Sequence, residues 1–84
     1  MRYNCLVPTV LRIRKFRFFF FSNDMNEPVH IHVESDEKYA KFWLEPGQLA
    51  KSVGYSAREL TEIRNIIVEN VTILKGKWDE YFSH

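Results

Sequence analysis

Two histidines that stand two positions apart are the candidates for acid–base or metal-binding chemistry in this chain. His30 and His32 lie in residues 29–34, where apolar and polar residues alternate strictly. Such alternation predicts a β-strand, because successive side chains of a strand point to opposite faces. We therefore expect His30, His32 and Glu34 to share one sheet face, with the two histidine Cα atoms roughly 6.5–7 Å apart from the strand rise.

Two imidazoles at this spacing suit the acid–base cleavage of RNA. An imidazole titrates near neutral pH, so one ring could take the proton of a 2′-hydroxyl while the other protonates the leaving oxygen. A cation would stabilise the phosphorane, and the candidates are Arg17 and Lys41. The resulting hypothesis is a metal-independent ribonuclease whose catalytic residues are His30, His32 and Arg17.

The same histidine pair could instead bind a metal ion. Imidazole and carboxylate groups are common ligands of transition metals, and Glu34 lies on the predicted face, while Asp24 and Glu27 lie in the preceding loop. Two histidines and one carboxylate leave coordination positions open, unlike a closed structural zinc site. The single cysteine, Cys5, allows neither a cysteine-based zinc site nor an intramolecular disulfide. No cofactor is predicted.

A third hypothesis makes this stretch a surface that binds another protein. Local hydrogen bonds of the loop side chains would fix the backbone, and the histidines would be ordinary polar residues of a half-exposed face. Trp43 and Tyr39 belong to the residue types that are enriched as anchors at protein–protein interfaces. The predicted binding residues come from the loop at residues 22–28 and from the predicted strand at residues 39–45: Asn23, Asp24, Glu27, Lys41 and Trp43.

The flanking segments predict the sheet that positions these residues. We expect strands over residues 7–13, 15–21, 29–34 and 39–45, with residues 48–52 as a fifth strand or a short helix. Residues 15–21 are largely apolar on both faces, which predicts a central strand. A turn centred on residues 36–37 would place Ile31 opposite Phe42 and His32 opposite Lys41. One face would then be apolar, and the other would carry the histidines.

The C-terminal third predicts a helix. Ser56 and Glu59 have the spacing of a capping box, which predicts the start of the helix. Gly76 is expected to weaken the helix near its C-terminal end, since glycine costs about 1 kcal/mol relative to alanine in a helix. Apolar residues then recur every three or four positions, at Leu60, Ile63, Ile67, Val71, Leu74 and Trp78. The predicted fold class is α+β: a single antiparallel sheet of four to five strands, covered on one face by one long C-terminal helix.

Length and composition limit the classes of protein. The 84 residues predict a single domain, with an N-terminal extension at 1–7, the sheet at 8–55 and the helix at 56–82. The net charge of +1 gives no general field for a polyanion. We expect no signal peptide and a cytoplasmic location. We also expect no membrane partner, since the longest apolar run is far shorter than the roughly 20 residues needed to span a bilayer. An aromatic edge strand allows a homodimer.

One string has a recognisable family pattern. The family pattern includes residues 8–10, 17–24, 40–46 and 56–60. Its most specific part is the string Glu27-Pro28-Val29-His30-Ile31-His32-Val33. Through these residues the chain resembles a widespread group of short bacterial proteins, the domain of unknown function family four-one-six-zero, from about residue 8 to 82. Residues 1–7 and Gly76 depart from the family pattern, and neither touches the histidine string.

The resemblance implies a partner more than an activity. Members often lie beside a gene for the domain of unknown function family two-four-four-two, in the manner of toxin–antitoxin pairs, which implies a small partner protein and an RNA target. We therefore predict a small cytosolic interaction module, one component of a toxin–antitoxin-like two-gene unit. The ribonuclease toxin and the metal-binding protein remain the alternatives, so the sequence leaves open whether the protein is an enzyme.

Overall fold

In the part of the chain that the structure describes, five antiparallel strands are followed by two helices. The computed structural model describes residues 9–21, 26–45 and 47–82. Its elements are β1 (Thr9–Ile13), β2 (Phe16–Phe19), β3 (His30–Ser35), β4 (Lys38–Trp43), β5 (Gln48–Val53), α1 (Ala57–Glu69) and α2 (Val71–Phe82). The strands lie in the sheet in chain order. The α+β class is confirmed, residues 48–53 form a strand, and β2 is an inner strand. The predicted extension at 1–7 lies outside the described residues.

The register between β3 and β4 agrees with the sequence pattern. Ile31 lies opposite Phe42, and His32 lies opposite Lys41. Asp36 occupies the tight turn between the two strands with a φ of 53°, a left-handed conformation that aspartate tolerates because its short side chain can hydrogen-bond locally. The predicted division into an apolar face and a face with both histidines is therefore confirmed.

The core lies between the apolar face of the sheet, which we call the helix face, and the two helices. Every second residue from Phe16 to Phe20, in β2 and just after it, points to this face. These phenylalanines are fully buried, as predicted for an inner strand. The cluster includes Phe16, Phe18, Phe20, Ile31, Val33, Phe42, Ile63, Ile66, Ile67 and Leu74. Burial of this much ring and aliphatic surface supplies the main driving force for folding.

The prediction of one long helix is wrong, because the helix is divided at Asn70. The Asn70 side-chain amide donates to the carbonyl of Ile66 at 2.8 Å, and its backbone N–H donates to the carbonyls of Ile66 and Ile67, both at 3.1 Å. Asparagine side chains compete in this way for helical carbonyl groups, and Asn70 leaves the helical conformation, with φ −118° and ψ 14°. Gly76 instead lies within α2.

Glu59 fixes the start of α1 to the sheet. The capping box is present: Glu59 N–H donates to Ser56 Oγ at 3.1 Å, and Ser56 N–H donates to Glu59 Oε1 at 3.0 Å. Lys38 and Lys15 donate to Glu59 Oε2 at 3.0 and 3.2 Å. The Ser56 hydrogen bond, followed by those of the lysines, lowers the pKa of Glu59 from 4.5 to about 2. These contacts hold α1 beside the β1–β2 turn and the start of β4.

Candidate functional site

Both histidines lie on the sheet face away from the helix core, which we call the histidine face. In the pairing of β2 with β3, Phe19 lies opposite His32 and Arg17 lies opposite Glu34. This register places Arg17 on the histidine face, which the sequence alone left undetermined. The residues of β2, β3 and β4 on this face, with Phe21 just after β2, are Arg17, Phe19, Phe21, His30, His32, Glu34, Tyr39, Lys41 and Trp43.

His32 is enclosed by aromatic rings of its own sheet face. The Phe19 ring stacks on it with centroids 5.3 Å apart, and the Phe21 ring meets it edge-on at 4.6 Å. Its Nδ1 hydrogen-bonds with the Tyr39 hydroxyl at 2.6 Å. The residue is 4% exposed, so the expectation of a half-exposed histidine is wrong here, because Phe19 and Phe21 cover the ring.

His30 is buried by tryptophans from two elements. Its ring meets Trp43 of β4 at 5.6 Å and Trp78 of α2 at 5.2 Å, and the residue is 0% exposed. Nδ1 donates to the Pro28 carbonyl at 2.8 Å. Since a carbonyl oxygen only accepts hydrogen bonds, the Nδ1 proton is fixed and Nε2 is the basic nitrogen of the neutral ring. Nε2 lies 3.8 Å from Glu27 Oε1.

The two imidazoles are neighbours, as the spacing predicts. Their centroids are 4.9 Å apart and their planes are nearly perpendicular. A ring oriented through Nδ1 by a backbone carbonyl has the arrangement of a metal-ligating or basic histidine. With 0% and 4% exposure, however, neither ring is accessible to a phosphate in this conformation. In this conformation the two imidazoles are therefore covered parts of the histidine face.

The cations of the histidine face are held over rings and paired with acids. Arg17 Nη1 donates to Glu34 Oε2 at 2.8 Å, and its guanidinium lies 4.5 Å from the Phe19 ring. Arg17 lies opposite Glu34, and Glu34 is four residues from His30 along β3. From the strand rise, Arg17 is therefore displaced by about 13 Å from His30 along the strand direction. The structure therefore brings Arg17 to the same face as His30 without bringing it beside that ring.

Lys41 is held in a similar way at the other end of the face. Its Nζ donates to Glu27 Oε1 at 2.6 Å and lies 4.6 Å from the Trp43 ring. Three of the predicted binding residues, Glu27, Lys41 and Trp43, are thus brought together. The other two, Asn23 and Asp24, lie outside the described residues.

Within residues 9–21, 26–45 and 47–82, no three His, Cys, Asp or Glu side chains are grouped so that they could hold a metal ion. Glu34, the carboxylate proposed as a ligand beside the histidines, is in an ion pair with Arg17. The predicted metal site of His30, His32 and Glu34 is therefore not assembled by these three residues alone. Asp24, which the sequence also offers as a carboxylate ligand, lies outside the described residues.

Sequence reasoning missed how Phe19, Phe21 and Trp78 enclose the histidines. The alternation in β2 does place Phe19 and Phe21 together, but a connection of about ten residues between β2 and β3 does not fix their register. Trp78 fits the apolar stripe of the helix, yet its ring contacts both Phe20 on the helix face and His30, each at 5.2 Å. No local pattern indicates that a helix residue reaches the far face.

Comparison with known families gives one match. A family model described as a domain of unknown function, DUF4160, matches residues 16–79, a range that includes the whole histidine face. No curated protein and no solved structure matches the chain. Among the described helices, none is both long enough and apolar enough to cross a membrane.

Proposed function

The chain belongs to the DUF4160 family, and we propose that it is a small cytosolic interaction module, one component of a toxin–antitoxin-like two-gene unit that acts through a partner protein. The partner binds the histidine face. The observation that carries this proposal is the composition of that face: partly exposed Phe21, Tyr39 and Trp43 stand beside the cations Arg17 and Lys41. The family's pairing with a second small gene supports the two-gene unit.

Aromatic rings interleaved with cations are the side chains that contribute most to protein interfaces. Tyrosine, tryptophan and arginine are enriched among residues whose truncation weakens binding strongly. Phe21 is 38% exposed, and the ion pairs Arg17–Glu34 and Lys41–Glu27 hold both cations in place before binding. Such preorganisation reduces the entropy that a complex loses on formation.

The buried histidines provide the rigid floor of this surface. Phe19 and Phe21 pack against His32, and Trp43 packs against His30. Each interface ring therefore rests on an imidazole that is itself hydrogen-bonded, to Tyr39 or to the Pro28 carbonyl. In this role the histidines act by positioning and not by catalysis.

The proposal is tested with the protein encoded by the adjacent small reading frame. Trp43→Ala and Phe21→Ala should each weaken the complex about 30-fold, because truncation of a central aromatic anchor costs about 2 kcal/mol. Ile73→Ala is the control, since Ile73 is an exposed apolar residue of α2 and should leave the affinity within about twofold. Affinities are measured by calorimetry on variants whose thermal unfolding has been checked.

Absence of a complex with the adjacent gene product, or equal affinity of the wild type and both histidine-face variants, would contradict the proposal. A loss of affinity in Ile73→Ala alone would place the interface on α2 and contradict it as well.

A metal-independent ribonuclease is the second candidate, and the adjacent imidazoles 4.9 Å apart favour it. Burial places it second, since the rings would have to become accessible before they could move protons. Expression should then arrest growth, and His30→Ala and His32→Ala should each abolish arrest. Folded variants that still arrest growth rule the ribonuclease out, and an absence of arrest in the wild type removes the toxin role.

The metal-binding alternative through His30, His32 and a carboxylate has a direct test. Elemental analysis of protein purified without a histidine tag should give near one metal ion per chain if the site exists. A stoichiometry near zero rules it out.

A further inference from the structure

Strand β5 has an outer edge to which no other described strand is paired. It is the last strand of the sheet and pairs with β4, and five of its six residues are exposed. Charged side chains, a proline or a β-bulge on an edge strand hinder its pairing with another chain. Within Gln48–Val53 there is one charged residue, Lys51, and no proline. Among the described residues, no strand takes up the outer N–H and C=O groups of β5.

An irregularity in the pairing of β5 with β4 gives this edge two different sides. Lys51 lies opposite Lys41, but Leu49 lies opposite Phe42, because the register shifts by one residue between them. Lys41 and Phe42 point to opposite faces, so Lys51 is on the histidine face and Leu49 is on the helix face. In a regular strand two such residues would share a face. Leu49 is 43% exposed.

A cavity lies on the helix side of β5. Its volume is about 350 Å³, and it is formed between the strand and α1, where Phe42, Leu49 and Leu60 supply apolar walls and Arg64 a charged one. Helix α1 thus leaves space beneath the edge strand that an apolar side chain of an added strand could fill.

The charges around the edge indicate an acidic occupant. Neither the Lys51 ammonium nor the Arg64 guanidinium makes a hydrogen bond or an ion pair with another described residue, and the cross-strand neighbour of Lys51 is also a lysine. A second copy would bring its own Lys51 if it paired through β5, or Arg12 if it paired through β1. In a register that sets these residues opposite each other, both arrangements place like charges side by side, which is destabilising across strands.

We propose that the outer edge of β5 accepts an extended acidic segment of a partner protein as a sixth strand. Backbone hydrogen bonds along the edge would give affinity, while apolar side chains on the helix side, beside Leu49, and carboxylates on the opposite side, facing Lys51, would give specificity. Lys51 adjoins the histidine face, but the backbone edge of β5 includes none of the aromatic rings of that face, and the peptide probe is not the partner of the proposed function. The inference can therefore fail while the proposed function holds, and the reverse.

The probe is an eight-residue peptide of alternating leucine and glutamate, titrated into the isotope-labelled full chain. Amide signals of residues 48–53 should shift, and their outward amides should exchange more slowly with solvent. Lys51→Glu should weaken binding about tenfold, through loss of one favourable charge contact and gain of a repulsive one. Arg58→Glu, an exposed charge reversal on α1, is the matched control and should leave the affinity unchanged.

A second peptide tests the backbone pairing itself. The same sequence with methyl groups on alternate backbone nitrogens should lose binding when the methylated set faces β5, and should retain it when the other set is methylated. Equal binding by both methylated peptides would contradict the proposal, as would unchanged affinity of Lys51→Glu. A concentration-dependent dimer of the free protein whose interface maps to β5 would assign the edge to a second copy and overturn it.

Discussion

Tyr39 and His32 form a short polar contact inside the histidine face. The hydroxyl lies 2.6 Å from His32 Nδ1, and the ring is sealed from solvent by its neighbours. Tyr39→Phe removes this hydrogen bond while it keeps the ring that lies beside the imidazole. We expect the free energy of unfolding to fall by about 1 kcal/mol, the net contribution of a typical buried hydrogen bond. Urea denaturation measures this difference, and an unchanged or higher stability would contradict the assigned contact.

Glu59 gives the fold a pH dependence with a defined sign. Its folded pKa of about 2 lies below the ordinary value of 4.5, so its ionised form stabilises the fold. This stabilisation is fully present above pH about 4.5 and is lost as the pH falls toward about 2.

Glu59→Gln isolates the charge, because glutamine can still accept the capping hydrogen bond. The variant should be less stable than the wild type at pH 7, and the difference should shrink progressively below pH 4.5. Denaturant unfolding at pH 7, 5, 4 and 3 measures this. Glu69→Gln, at an exposed position on α1, should show no such convergence, and a constant Glu59→Gln difference at every pH would contradict the assignment.

At the scale of elements, Trp78 attaches α2 to both faces of the sheet. Its ring meets Phe20 and Phe82 at 5.2 and 4.4 Å, in addition to His30. Trp78→Ala should lower the free energy of unfolding by about 3 kcal/mol, as expected for removal of a large packed aromatic. Ile73→Ala, on the exposed side of the same helix, should change it by less than about 1 kcal/mol. Equal effects in thermal unfolding would contradict this role.

The sequence predicted those elements whose register a short turn fixes. The two-residue turn between β3 and β4 makes the pairing of Ile31 with Phe42 follow from periodicity alone. The longer connection between β2 and β3 left the face of Arg17 open, and tertiary contact was needed to place it. The helix break was missed because the apolar stripe continues through Asn70, whereas the competition of its side chain for a carbonyl is a local effect that periodicity does not contain.

For the whole molecule, the two faces of one sheet have different roles. The helix face buries the apolar side chains that stabilise the fold, and the histidine face presents rings and cations that rest on two buried imidazoles. The sequence predicted this division. It did not predict that the imidazoles themselves would be covered, because that depends on side chains from β2, β4 and α2 meeting around them.

The most direct test of the histidine face as the binding surface uses the two tryptophans. In the labelled protein, their indole N–H signals report on the histidine face through Trp43 and on α2 through Trp78. When the protein encoded by the adjacent reading frame is added, the Trp43 signal should shift strongly, while helix-face amides of α1 should stay in place. A complex that forms without moving the Trp43 signal would contradict the proposal that the partner binds the histidine face.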